Sequence, residues 1–181
     1  MLLVGSSSKI KEKGLGAFIN SCDRVARFSR FQTSGFEKDF GSRTTDWITG
    51  KFWNDQKMFK KLEERKKEYP ELEYTWAIGW DIQDEINKKS RADYISICKE
   101  NGLKSSKVST GTLAIFYFLN LNMDVSIINY DFGKTNHYFG EAKWKEFRSG
   151  PPIKLYPNNN HDWKTEKKVV DILGQERIKI L

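Results

Sequence analysis

Short apolar runs alternate with longer amphipathic segments along the chain. Apolar runs bounded by glycine or polar residues predict strands at 1–5, 23–31, 74–82, 124–132 and 177–181. Apolar residues at helical spacing predict helices at 54–69, 83–101 and 109–122, and a short helix beginning near Asp162. Strands that alternate with helices indicate an α/β fold: a mostly parallel sheet with helices on both faces. At 181 residues we expect one domain spanning 1–181.

Composition narrows the possible partners. The chain is 38% hydrophobic and 14% aromatic, which is globular, and 31 basic against 24 acidic residues give a formal charge of +7. This charge favours an anionic partner, and nucleic acid, anionic lipid headgroups and sugar nucleotides all qualify. The basic residues are spread along the chain rather than clustered, so we expect no nucleic acid.

Cysteine usage and hydropathy bear on the compartment. Cys22 and Cys98 make neither a metal-binding spacing nor a disulfide framework, which predicts two free thiols in a reducing compartment. No apolar run approaches the ~20 residues of a membrane span, and "MLLVG" lacks the features of a signal peptide. The sequence therefore predicts a cytoplasmic protein without a transmembrane segment.

Two polar segments fall where strands or loops meet helix starts, the usual place for ligands in such sheets. The loop "VGSSSKI" (residues 4–10) has small residues that let backbone amides approach a phosphate or ribose, but it equally fits an ordinary polar turn. "STG" (Ser109, Thr110, Gly111) opens an apolar helix, and this start fits either an anion site or a plain N-cap.

The chain has only two histidines, His137 in "TNHYF" and His161 in "NNHDWKTE". Both lie in predicted loops. A lone loop histidine is most often a surface residue, but imidazole is also the usual general base near neutral pH. Because both histidines are expected on the same edge of the sheet, the pattern favours a catalytic role more than a single histidine would.

Read in order, these segments resemble the sialyltransferases of glycosyltransferase family 29, which have four ordered motifs. Residues 2–47 look like the large motif, with "SCDRVARF" and "GFEKDFGSRTT"; residues 109–133 are similar to the small motif; "HYFGE" resembles motif III; "HDWKTE" matches the very small motif, His-x4-Glu. Both histidines fall on the two positions that these motifs need.

The resemblance implies a GT-A-like, Rossmann-like variant of the fold and an inverting, metal-independent transfer. The donor would be a CMP-activated sialic acid or related keto-sugar acid, and the acceptor a glycan hydroxyl. It implies that His161 is the general base and that His137 and the 109–111 helix start hold the leaving phosphate. Glu166 would support the loop. The chain has no Asp-x-Asp metal motif, so no metal or other cofactor is expected. Donor contacts are expected from Gly5, Ser6, Ser7, Ser29, Ser109, Thr110, Gly111 and Tyr138.

The sequence departs from the family pattern at two donor positions. Ser6 and Ser29 stand where the family typically has asparagines that touch the nucleotide, and a serine is shorter and lacks the amide. The cysteine pair of secreted relatives is also missing, which suggests a compact microbial or viral member. Residues 35–45 are expected to shape the loop beside the donor, with Thr44 and Thr45 giving local hydrogen bonds.

Two other functions stay open at this point. The chain could be a degenerate, non-catalytic nucleotide- or glycan-binding module of the same fold, which Ser6 and Ser29 favour and the two histidines oppose. A basic nucleic-acid-binding protein would instead need a clustered cationic face. Acceptor choice is assigned to the loops between motifs, where Trp53, Trp80 and Trp144 are candidate sugar platforms.

Overall fold

The computed structural model describes residues 1–29, 31–50, 56–105, 107–134 and 161–181, and the side chains of 56–59 are excepted. Six strands are described: β1 Leu2–Val4, β2 Val25–Phe28, β3 Asp46–Thr49, β4 Tyr74–Ala77, β5 Val125–Ile128 and β6 Ile178–Ile180. The helices are α1 Gly16–Ser21, α2 Glu37–Phe40, α3 Gln56–Glu68, α4 Glu85–Glu100, α5 Thr110–Asn120 and α6 Trp163–Glu176, with a 3-10 turn at Ser8–Ile10. None of the helices in these ranges is long and apolar enough to cross a membrane.

The strands form one sheet in the order β4-β3-β2-β1-β5-β6, and every neighbouring pair is parallel. From β1 the chain adds strands outward to β4, then returns to place β5 on the other side of β1. The direction of winding therefore reverses between β1 and β5, and in open α/β sheets ligands bind at the carboxyl ends of the strands beside such a reversal. The predicted parallel α/β sheet is confirmed.

Strand alternation sends successive side chains to opposite faces of the sheet, and each face has its own helices. Leu3, Ala26 and Ile48 lie in a core cluster with residues of α4, α5 and α6. Leu2, Val4 and Val25 instead pack with residues from α1, α2 and the 3-10 turn, such as Ile19 and Phe40. Helices therefore cover both faces, as predicted.

β3 was not predicted from the sequence, so the strand predicted third along the chain is the fourth. The missed segment, "DWIT", is short and begins with a fully buried aspartate, whereas buried parallel strands usually read as apolar runs. Asp46 is accommodated because it accepts hydrogen bonds from Arg24 Nη2 at 2.5 Å and Trp76 Nε1 at 2.6 Å. The helix beginning after Asp162 is also longer than predicted, with 14 residues.

Thr44 and Thr45 make local hydrogen bonds, as expected, but they do so away from the carboxyl ends of the strands, and the role of residues 35–45 beside the donor stays a prediction. Thr44 and Thr45 directly precede the first residue of β3 and thus lie at the amino ends of the strands. Thr44 Oγ1 accepts from the buried Arg27 guanidinium at 3.0 Å, and Thr45 Oγ1 accepts from Val25 N at 2.9 Å. Arg27 also donates to the carbonyls of Phe40, Gly41 and Arg43. These threonines therefore have a structural role on the edge opposite to the carboxyl ends.

Candidate active site

The loops after β1 and β5 are joined at the carboxyl edge of the sheet. Gly5 N donates to Ile128 O at 2.9 Å, and the Asn129 side-chain amide donates to Gly5 O at 3.0 Å and Ser7 O at 2.7 Å. Ser7 Oγ in turn donates to Asp131 Oδ2 at 2.9 Å. A β-carbon at Gly5 would lie 2.3 Å from Asn129 O, so only glycine permits this close approach.

The start of α5 lies beside the β5 loop and the end of β3. Tyr130 donates its hydroxyl to Gly111 O at 3.3 Å and contacts the 5–7 loop near Gly5. A β-carbon at Gly50, which follows β3, would lie 2.8 Å from Thr110 Oγ1. Burial, and secondarily the charge of Glu166, raises the pKa of Tyr130 well above its usual value, so the hydroxyl stays protonated and able to donate.

Glu166 binds the N-cap of α5 although it lies on α6. It is fully buried and accepts from Ser109 N at 3.0 Å, Ser109 Oγ at 2.5 Å and Thr112 Oγ1 at 2.6 Å. Burial raises the pKa of Glu166, and the hydrogen bonds from Ser109 and Thr112 oppose this rise. The first turns of the two helices are therefore fixed to each other by one carboxyl group.

His161 lies one residue before the N-cap of α6, next to this carboxyl group. Its Nδ1 is 2.9 Å from Lys107 O and 3.7 Å from Glu166 Oε1, and its side chain is 29% exposed. A carbonyl oxygen only accepts hydrogen bonds, so the proton is assigned to Nδ1 and the lone pair to Nε2. A neutral imidazole in this tautomer can take a proton at Nε2.

Ser29 follows β2 at the same edge but is exposed. Its backbone is left-handed, with φ of 49°, and its carbonyl accepts from Trp47 Nε1 at 2.8 Å. The neighbouring Phe28 ring meets Tyr130 edge to face at 6.1 Å between centroids. The carboxyl end of β2 therefore reaches the same crevice as the loops after β1 and β5.

The structure brings most of the predicted site residues to one edge: Gly5, Ser6, Ser7, Ser29, Ser109, Thr110, Gly111, His161 and Glu166. His137 and Tyr138 lie outside the described residues, as do Trp53 and Trp144, and their predicted roles remain predictions. Within the described ranges, no three His, Cys, Asp or Glu side chains lie close enough together to hold a metal ion.

Sequence reasoning missed two site residues, Asn129 and Tyr130. Both directly follow β5, so their position at a carboxyl end next to the winding reversal was the signal that could have found them. Asn129 also has a left-handed backbone, with φ of 61°, which asparagine tolerates better than most residues.

Comparison with known proteins shows which family and fold the chain resembles. Residues 2–78 match the family model described as glycosyltransferase family 29 (sialyltransferase). The resemblance to family 29 is confirmed. The matched residues contain β1 to β4 and thus the Gly5–Ser7 loop and Ser29. This match and the fold together support a glycosyltransferase. No curated protein sequence matches the chain.

Solved sialyltransferases have the same fold as this chain. A mammalian sialyltransferase in complex with Gal-beta-1-3GalNAc-ortho-nitrophenol is 18% identical with a TM-score of 0.56, and 99% of this chain aligns with 68% of that one. The monofunctional alpha-2,3-sialyltransferase Cst-I from Campylobacter jejuni is 12% identical, with a TM-score of 0.63 and coverages of 99% and 73%. The sialyltransferase CST-II in complex with trisaccharide acceptor and CMP is 16% identical, with a TM-score of 0.57 and coverages of 99% and 78%.

Proposed function

We propose that this protein is an inverting, metal-independent glycosyltransferase that uses a CMP-activated donor. It transfers sialic acid or a related keto-sugar acid to the hydroxyl of a glycan acceptor. Support comes from the family match and from the similar fold of a sialyltransferase solved with CMP and a trisaccharide acceptor. The observation that carries the proposal is the connection of His161, through Glu166, to the start of α5.

His161 acts as the general base in this proposal. The acceptor hydroxyl gives its proton to Nε2 as its oxygen attacks the anomeric carbon, on the face opposite to the phosphate. The bond from the anomeric carbon to the phosphate oxygen breaks, and its electron pair leaves with CMP. The imidazolium that forms is stabilised by Lys107 O, 2.9 Å from Nδ1, and by the nearby carboxyl group of Glu166.

The start of α5 receives the leaving phosphate. Ser109 is already bound to Glu166 through both its amide and its hydroxyl, so we assign phosphate binding to the amides of Thr110 and Gly111 in the first turn. These donors and the helix dipole stabilise the charge that grows on the phosphate as the sugar departs. His137 keeps its predicted role at the phosphate as part of the proposal.

The test begins with donor identity. Thermal unfolding is measured with CMP, CDP, UDP and GDP, each in EDTA and in manganese, because a ligand that binds only the native state raises its stability. We expect CMP to raise the midpoint in EDTA. Stabilisation by UDP with manganese alone would overturn the proposal.

Turnover is then followed as CMP release from CMP-sialic acid, with and without lactose as a probe acceptor. His161→Gln should lower kcat by at least about 100-fold while CMP still stabilises the variant, because the base is lost and the helix start is kept. Lys168→Gln, on an exposed position of α6, is the matched control and should retain activity. CMP binding without turnover in the unmodified protein would instead identify a non-catalytic nucleotide-binding module, which the exposed Ser29 also fits.

A further inference from the structure

Trp163, the first residue of α6, lies close to both His161 and the loop after β5. Its ring centroid is 5.1 Å from that of His161, with 53° between the ring planes. In addition, a β-carbon at Gly133 would lie 2.6 Å from the indole Nε1 and 2.8 Å from Cδ1 and Cε2. The indole therefore contacts the imidazole and the Gly133 backbone at the same time.

The backbone that supports the indole is itself held in place. Gly133 N donates to Asp131 Oδ1 at 3.2 Å, and the other carboxylate oxygen of Asp131 accepts from Ser7 Oγ at 2.9 Å. Gly133 has φ of 72°, in the left-handed region that favours glycine. Trp163 thus rests on a loop that is hydrogen-bonded to the 5–7 loop after β1.

His161 needs such a second contact. It precedes the helix, so its backbone is not part of the hydrogen-bonded ladder of α6, and its ring is partly exposed. The hydrogen bond from Nδ1 to Lys107 O fixes one ring atom but leaves the tilt of the ring plane free. The indole restricts that tilt by packing against the imidazole.

We propose that Trp163 is a positioning residue: it holds the His161 imidazole with Nδ1 on Lys107 and Nε2 available, and it makes this placement depend on the Gly133 loop. The consequence for catalysis rests on the proposed function, whereas the placement of the ring does not. Gly133 contributes to this placement, because any side chain there would displace the indole.

The placement is tested by nitrogen NMR of the two imidazoles in Trp163→Ala, Trp163→Phe and Gly133→Ala. The chain has two histidines, so the spectrum of His161→Gln assigns the signals of His161. We expect one Nδ1-protonated tautomer in the unmodified protein and in Trp163→Phe, and averaging between tautomers in Trp163→Ala and Gly133→Ala. Unchanged His161 signals in Trp163→Ala would overturn the proposal.

The catalytic consequence is measured as CMP release from CMP-sialic acid. Trp163→Ala should lower kcat about tenfold with KM within about twofold, because the base moves and the phosphate site stays. Trp163→Phe should recover most of kcat, since it keeps a ring against the imidazole. A phenylalanine variant no better than alanine, or a loss confined to KM, would contradict the positioning role.

Controls separate this inference from the proposed function. Tyr74→Ala removes an exposed aromatic ring at the amino end of β4 and should leave kcat unchanged. Gly133→Ala has a strained backbone as well as a clash, so if it fails to fold, the two Trp163 variants decide alone. If the unmodified protein neither binds CMP nor releases it, the proposed function fails, and the tautomer measurement still decides the placement of the ring.

Discussion

Replacing Glu166 by glutamine keeps the shape of a buried side chain but removes its charge and two of its lone pairs. Glu166 accepts three hydrogen bonds from Ser109 and Thr112. Glutamine keeps one oxygen for Ser109 N and places an amide against the two hydroxyls. Thr112 can turn its hydroxyl toward Ser109 Oγ, 3.3 Å away, so one buried group loses its partner. A buried unsatisfied group costs about 1–3 kcal/mol, and we expect the free energy of unfolding to fall by about 2 kcal/mol.

The cost should depend on pH in a definite direction. Burial raises the pKa of Glu166 in the folded protein above its usual value of 4.5. The folded state therefore holds this proton more tightly than the unfolded state, and the stability that comes from it is present at acid pH and lost as pH rises through the raised pKa. Glutamine does not titrate. The difference between the two proteins should thus be largest below pH 4.5 and shrink as pH rises through the raised pKa of Glu166.

Urea denaturation at several pH values measures this difference as a change in midpoint. Glu176→Gln, an exposed position at the end of the same helix, is the control and should lie within about 0.5 kcal/mol of the unmodified protein. If Glu166→Gln matches this control at every pH, or if its cost grows as pH rises, the reasoning about the buried carboxyl group is refuted.

Three further substitutions test other parts of the carboxyl and amino edges. Gly5→Ala places a methyl group against Asn129 O and should lower the free energy of unfolding, measured with urea, by about 1–3 kcal/mol. It should also weaken the thermal shift with CMP. An unaltered urea midpoint would contradict the close approach. Asp46→Asn leaves Trp76 Nε1 or Arg24 without its carboxylate and should lower the free energy of unfolding by about 3 kcal/mol. Because Asp46 lies at the amino edge, the thermal shift with CMP should not change. A lost CMP shift in a folded variant would contradict that placement. Ser29→Asn restores the amide of the family pattern, and asparagine tolerates the left-handed backbone at this position. The variant should show a larger thermal shift with CMP. No change in that shift would contradict the donor role assigned to this position.

Periodicity predicted most of the sheet because its central strands are buried on both faces. β1 and β5 read as apolar runs, and α4 and α5 have helical spacing with clear caps at Asp84 and Ser109. β3 escaped because its first residue is a charged side chain, and only the tertiary partners of Asp46 make that burial acceptable. Hydropathy contains no information about such partners.

Most residues of the site were predicted from the sequence, but the contacts between them were not. Motif order identified Ser109, His161 and Glu166, but spacing could not show that Glu166 occupies the amide and hydroxyl of Ser109. Asn129 and Trp163 lie inside two of the motifs, but the motifs did not single them out, because their importance comes from neighbours distant in sequence: the Gly5 carbonyl for Asn129 and the Gly133 backbone for Trp163.

The contact between Gly133 and Trp163 has a consequence for how this site can diverge. It joins Gly133, in the loop after β5, to Trp163, at the start of α6, and so closes a loop of the intervening chain. The entropy of closing such a loop grows only with the logarithm of its length, about 0.6 kcal/mol for each doubling. The number of residues between Glu141 and His161 could therefore change at little thermodynamic expense, which would let the acceptor preference expected of this loop change while His137, His161 and Glu166 are kept.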